Sequence, residues 1–188
     1  MPCSMIHLFA AKKVRPEGSI LFFIGNLAPD AVTDWHEKDI VHFRNVDRQS
    51  ALISLAKETS GDFAEGILLH LYLDWKWDEC VRQKFIDNTG DDWFAPYRGE
   101  LSLVGSYAFH NTDWAKQLWI NMESLDTSCY GVTPCATAGD VLNFIRRNIS
   151  WHNDNVTESS TAFPPDLIDK FTTLTANEYI GWRTQRND

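Results

Sequence analysis

Long apolar runs are missing from this 188-residue chain. The most apolar stretch, Ile20 to Ile24 and on to Ala28, is broken by Gly25 and Asn26 and stopped by Pro29. It is too short to span a bilayer, which takes about 20 apolar residues. The opening Met1-Pro2-Cys3-Ser4 is not a charged region followed by an apolar core. No targeting segment is expected, and the default location is cytoplasmic. Cysteine is sparse. Cys3, Cys80, Cys129 and Cys135 are expected as reduced thiols, and the spacing of Cys129 and Cys135 exceeds that of a zinc knuckle. Positive charge is also short, with 17 Lys and Arg against 26 Asp and Glu and a net charge of −9. Tight binding of long nucleic acid, which draws on Lys and Arg contacts to phosphate, is therefore not expected. A small phosphate substrate stays open, because a bound metal can supply positive charge locally.

Other absences narrow the chemistry. No internal repeat, low-complexity tract or linker divides the chain, so residues 1–188 are expected as a single domain. Ser50, Ser54 and Ser60 lie outside any Gly-x-Ser-x-Gly setting, which disfavours a serine-hydrolase elbow. Glycines are scattered, with no phosphate-cradling loop. His36-Glu37 lacks the second histidine of a zincin helix, since His42 comes too late. No His-Asp dipeptide marks an HD-type phosphohydrolase. The acidic run Asp87 to Asp92 reads as a solvated turn rather than a calcium loop. Strand signals are scarce as well.

What is present is aromatic and helical. Hydrophobic residues make up 44% and aromatics 13%, including eight Trp, enough for a core or an apolar pocket wall. Gly and Pro divide the chain into helix-length pieces. Ser4 is placed to cap a first helix to about Val14, stopped by Arg15-Pro16. A second apolar segment covers about Ser19 to Leu27. Residues 31–46 read as a loop with a short helix, and Asp47 caps a helix through about Glu58. Asp62 opens the strongest segment, to about Asn88. Further helices are predicted over about Gly99 to Phe109, Asp113 to Leu125, Ala138 to Ser150 and from Pro165 onward. Thr127 to Thr137 and residues 151–163 read as loops. The fold class is all-α, a single-domain multi-helix bundle.

The segment from Asp62 carries apolar residues all round, as a buried helix does. His70 and Asp74 stand one turn apart on one face, and Gly66, a turn earlier, leaves space above it. A buried carboxylate is costly unless paired or coordinated. No permanently charged cation lies among the helical neighbours of Asp74, so compensation falls to His70, another segment or a metal. An imidazole and a carboxylate on one face present two ligands to zinc or a similar ion. The plainer alternative is a hydrogen-bonded core pair. His7, in an apolar stretch, His36 and His42 add imidazoles early in the chain, and Asp30 follows Pro29 where an apolar helix ends.

Four segments carry a resemblance: Ile6-His7, Phe23-Ile24-Gly25-Asn26-Leu27-Ala28-Pro29-Asp30, His42-Phe43, and Gly66 through Asp74. Over about the first 80 residues they resemble the zinc-dependent phospholipase C family, which is related to the S1/P1 nucleases. That resemblance implies an all-helical fold with a trinuclear zinc site at the bottom of a cleft and hydrolysis of phosphodiester or phospholipid bonds. It implies that His70 and Asp74 form the helical pair of the central site, with Asp74 able to bridge two ions. Asp30 and His42 would complete the first ion's ligands, and His7 would hold another ion with Asp74. The chain departs from the family in beginning Met1-Pro2 where the family has an N-terminal Trp ligand. It also has no downstream His-x-x-x-Glu pair. His110 is a further candidate ligand, followed by Asn111 and Asp113, and His152 is followed by Asn153 and Asp154. Neither Glu100 nor Glu123 has a supporting spacing.

The leading expectation is a metal-dependent hydrolase of phosphoester bonds. Its metal ligands would be His7, Asp30, His42, His70, Asp74 and His110, and its catalytic residues Asp30 and Asp74. Asp30 would serve as ligand or as general base. The cofactor would be one to three zinc ions, or manganese or another divalent ion. The substrate would be a small phosphoester or a phospholipid headgroup. Trp35, Tyr72, Trp75 and Trp77 either shape the cleft or fill the core. The alternative is a non-catalytic helical domain with a metal-binding or small-ligand-binding role.

Overall fold

α5 (Asp62–Trp77) sits at the centre because its sequence leaves no polar stripe to face water. The computed structural model describes residues 1–185. Among them α1 spans Ser4–Val14, α2 Ile20–Gly25, α3 Trp35–Val41 and α4 Arg48–Glu58. After α5 come α6 (Gln83–Thr89), α7 (Phe94–Asn111), α8 (Ala115–Ser124), α9 (Ala138–Asp154) and α10 (Pro165–Thr184). No strand forms among the described residues, and the β pairing there is one isolated bridge, Thr133 with Ala136. No helix among them is long and apolar enough to cross a membrane.

α1 and α5 each feed two apolar clusters. Met5, Leu8, Phe22, Leu68 and Trp119 belong to one, and Ile6, Leu73, Trp77, Phe163 and Phe171 to the other. Each helix thus buries opposite faces, as apolar residues on all sides require. α2 meets α5 through two glycines. A Cβ on Gly66 would lie 2.2 Å from the Phe22 carbonyl oxygen, and one on Gly25 would lie 2.0 Å from that of Phe63. The room that Gly66 leaves is therefore filled by the α2 backbone, with Asn26 Nδ2 donating to the Gly66 carbonyl at 3.3 Å. Ser19 caps α2, its Oγ accepting from the Phe22 amide at 3.3 Å. Beyond α2 the chain turns through a 3₁₀ helix, Ala28–Ala31, which buries Asp30.

Several boundaries differ from the sequence reading. Ser4 lies inside α1, whose cap is Cys3, and the Ser4 hydroxyl donates instead to Asn148 Oδ1 at 3.1 Å. The long segment from Asp62 is continuous to Thr89, but a π-helical turn, Asp78–Arg82, interrupts its α geometry. α7 begins at Phe94 rather than Gly99, because Pro96 falls in the first turn, where the missing amide has no helical partner to lose. α9 runs past Ser150 to Asp154 and carries His152 into the interior.

Candidate metal centre

Three histidines and two aspartates from separate parts of the chain converge beside α5. His70 and Asp74 come from α5 itself, His7 from α1, Asp30 from the 3₁₀ turn and His42 from the C-cap of α3. All five are buried. His7 stacks flat on His70, with ring centroids 3.9 Å apart and planes at 4°.

The two central imidazoles are oriented by the backbone. His42 Nδ1 lies 2.7 Å from the Lys38 carbonyl oxygen and His70 Nδ1 lies 2.8 Å from that of Asn26. A carbonyl oxygen only accepts, so this pattern assigns the proton of each ring to Nδ1 and leaves a lone pair on each Nε2. Those two Nε2 atoms face each other at 3.2 Å. Burial opposes a second proton on either ring. It lowers His42 from its ordinary value and, with His7 alongside, takes His70 down to about 3.

Carboxylate oxygens complete the shell. His42 Nε2 lies 3.6 Å from Asp74 Oδ2 and 3.8 Å from Asp30 Oδ1, and His70 Nε2 lies 3.8 Å from Asp74 Oδ2. Four lone-pair donors thus point at one another, an arrangement that repels itself unless a cation lies between them. Donors about 2.0–2.1 Å from a tetrahedral ion stand roughly 3.3–3.4 Å apart. The observed separations are close to that figure. Asp30, His42 and His70 form one group able to hold an ion, and His7, His70 and Asp74 form another. His70 belongs to both but has only Nε2 to offer, so the two groups cannot both be filled through it. Asp74 can bridge them, since Oδ1 lies 3.3 Å from His7 Nε2. Among the described residues His7 Nδ1 has no hydrogen-bond partner, His7 Nε2 and Asp74 Oδ1 have only each other nearby, and Asp30 Oδ1 faces the Lys38 ammonium at 3.1 Å.

The compensation of Asp74 is unusual within this chain. Buried Asp78 meets Arg48 at 2.7 Å and Arg82 at 3.2 Å, and buried Glu65 meets Arg183 at 3.2 Å. Among the described residues Asp74 has only imidazoles within ion-pair distance. Its burial alone would raise the carboxyl, but His7, His70 and His42 outweigh that and hold it well below the usual carboxylate range. Asp30 is held low in the same way, Lys38 contributing most after burial is overcome.

The cluster opens on one side. A cleft of about 440 Å³ is lined by Asp30, Lys38, Met1, Phe144, Trp151 and His152, among others. Asp30 is thus the candidate ligand that reaches the cleft wall, and His7 and Asp74 lie deeper. Of the aromatics singled out in the sequence, Tyr72 and Trp77 are core residues, Trp35 is exposed, and none lines this cleft. Its aromatic wall is Phe144 and Trp151.

His110 belongs to neither ion-holding group. It sits on α7 with Nε2 2.8 Å from the His152 carbonyl oxygen, so it ties α7 to α9 instead of reaching the cluster. His36 is exposed. Glu100 accepts from the Ala162 amide at 3.2 Å and Glu123 pairs with Arg146 at 3.2 Å, so both are engaged away from the cluster. The cysteines are free thiols and none joins either group. Met1 lies above Asp78, its amino group 3.8 Å from Oδ1. Lys38 is the residue the sequence reading passed over. Its ammonium lies 3.1 Å from Asp30 Oδ1. Its place one turn before His42 on α3 was the available signal.

No family model matches the chain, no curated protein matches it, and no solved structure matches it.

Proposed function

We propose that the chain is a metal-dependent hydrolase of small phosphoesters, of the zinc-dependent phospholipase C type. The observation that supports this reading is the inward-facing set of His42 Nε2, His70 Nε2, Asp74 Oδ2 and Asp30 Oδ1, with the two Nε2 atoms 3.2 Å apart and the carboxylate oxygens 3.6–3.8 Å from them. The Asn26 and Lys38 carbonyls fix both rings from behind, as outer partners of metal-binding histidines do.

In this reading His42, His70 and Asp74 would hold one divalent ion, zinc or manganese, Asp30 would fill its fourth position or yield it to a water, and His7 with Asp74 Oδ1 would offer a second position. When bound there, such an ion would make a water acidic enough to be hydroxide near neutral pH. Asp30, at the cleft wall, would orient that water or take its proton. Lys38, beside Asp30, faces the same cleft and offers its ammonium to a phosphoryl oxygen. The cleft volume suits a headgroup-sized substrate.

A second reading is a non-catalytic metal-binding domain. It is favoured by the Lys38–Asp30 pair, which occupies the ligand nearest the cleft, and by the engagement of Glu100 and Glu123 elsewhere.

Turnover of bis(p-nitrophenyl) phosphate separates the two. Hydrolysis is expected with added zinc or manganese and not after chelation. The double variant His70→Ala, Asp74→Ala is expected to lose at least a thousandfold while circular dichroism still reports a helical fold. Unchanged turnover in that variant would defeat the hydrolytic reading.

A further inference from the structure

The cleft carries charge that the metal cluster does not explain. In a chain of net charge −9, three cations from three helices line it: Lys38 from α3, Arg98 from α7 and Arg147 from α9. Asp30 is the carboxylate among its lining residues, and Lys38 already stands against it. Arg98 and Arg147 are exposed, and neither forms an ion pair among the described residues, although Arg147 is near enough to Asp140 to lower its carboxyl. Two guanidiniums with no ion pair among the described residues, lining one cleft, concentrate positive potential there.

A buried polar group faces the same space. His152 is 3% exposed, lines the cleft, and has no hydrogen-bond partner on either ring nitrogen among the described residues. Its ring lies flat against Phe109, with centroids 4.8 Å apart, which fixes its plane. Gly105 gives it clearance, since a Cβ there would lie 3.3 Å from His152 Cε1. An imidazole buried without partners costs free energy that a ligand hydrogen bond would recover. Asn148 and Ser102 add neutral hydrogen-bonding groups, and Phe144 and Trp151 provide an apolar wall.

We propose that the cleft takes a small phosphoester carrying a second anionic group, a carboxylate or a phosphate, held by Arg98 and Arg147 with His152 as a hydrogen-bond partner. The phosphoester half of this statement rests on the hydrolytic reading above; the anion pocket stands on the cleft alone. Guanidinium forks match the two oxygens of either anion. The ring or chain joining the two groups would lie against Phe144 and Trp151.

The test uses two readouts. Calorimetry on the chelated protein compares phenylphosphonate, 4-carboxyphenylphosphonate and 1,4-phenylenediphosphonate. The two doubly functionalised probes are expected to bind at least tenfold tighter than phenylphosphonate, and the tighter of them identifies the second group. Arg98→Gln with Arg147→Gln is expected to abolish that preference. Both side chains are exposed and form no ion pair among the described residues, so circular dichroism is expected to show the fold retained. Separately, kcat/KM is compared for p-nitrophenyl phenyl phosphate and its 4-carboxyphenyl counterpart in the zinc-loaded protein. Equal binding of the three probes, or a preference that survives the double substitution, overturns the proposal. Hydrolysis without the preference also overturns it and leaves the hydrolytic reading intact. The preference without hydrolysis supports the anion pocket and defeats the hydrolytic reading.

Discussion

Lys38 and the candidate ion compete for one oxygen. The ammonium stands 3.1 Å from Asp30 Oδ1, the same atom that lies 3.8 Å from His42 Nε2. Two like charges a few ångströms apart repel by on the order of 1–4 kcal/mol in a partly screened site. Lys38→Met removes that repulsion and frees Asp30. Zinc affinity measured by competition with a chelating dye is expected to rise about tenfold or more. A fall in affinity would mean that Lys38 supports the site instead of opposing the ion. His70 and Asp74 were legible in the sequence because helical periodicity alone puts them on one face. Lys38 stands one turn before His42 at the end of α3 in the same relation, but the polar stretch around them marks neither as interior, and His42 was a candidate ligand only through the family resemblance. Asp30 was visible through Pro29, which ends an apolar segment and turns the next side chain inward.

At the level of elements, the contact between α2 and α5 sets the orientation of His70. Gly25 and Gly66 bring the two backbones together, and only then does the Asn26 carbonyl reach His70 Nδ1 at 2.8 Å. Gly66→Ala would place a methyl 2.2 Å from the Phe22 carbonyl oxygen, so the helices must separate. Overpacking of this kind costs on the order of 1–3 kcal/mol. Chemical denaturation is expected to show that loss. Zinc affinity is expected to fall about 10- to 100-fold as the ring loses its outer partner. Wild-type affinity in Gly66→Ala would show that Asn26 does not orient the ring. α5 was the most legible element, since apolar residues on every side announce burial. The end of α9 was the least. Trp151, His152, Asn153 and Asp154 read as a polar loop, yet stacking on Phe109 buries His152 and extends the helix. A contact between residues more than 40 positions apart leaves no mark on local pattern.

Across the whole molecule, the buried imidazoles tie stability to pH. His42, His70 and His152 are all held below the ordinary imidazole value, first by burial, and His152 is lowered from 6.5 to about 4. A depressed value in the fold means that the unfolded chain binds the extra proton first. The contribution is therefore complete above about pH 6.5 and is lost as the pH falls toward 4. For His152 the full loss is on the order of 3 kcal/mol. His152→Gln, which does not titrate, is expected to lose less stability than wild type between pH 7 and pH 4, read as the shift in thermal midpoint. Parallel losses in the two proteins would show that His152 does not contribute. The all-α fold follows from composition and periodicity. The convergence of Arg98, Arg147 and Lys38 on one cleft does not, because it depends on how α3, α7 and α9 are arranged in space. The central claim concerns the lone pairs gathered between His42, His70, Asp74 and Asp30. An anomalous-difference map from crystals grown with zinc tests it most directly. A peak about 2.0–2.1 Å from His42 Nε2 and His70 Nε2, with an Asp74 or Asp30 oxygen at similar range, is the expected result. Density without an anomalous peak there, at saturating zinc, would contradict it.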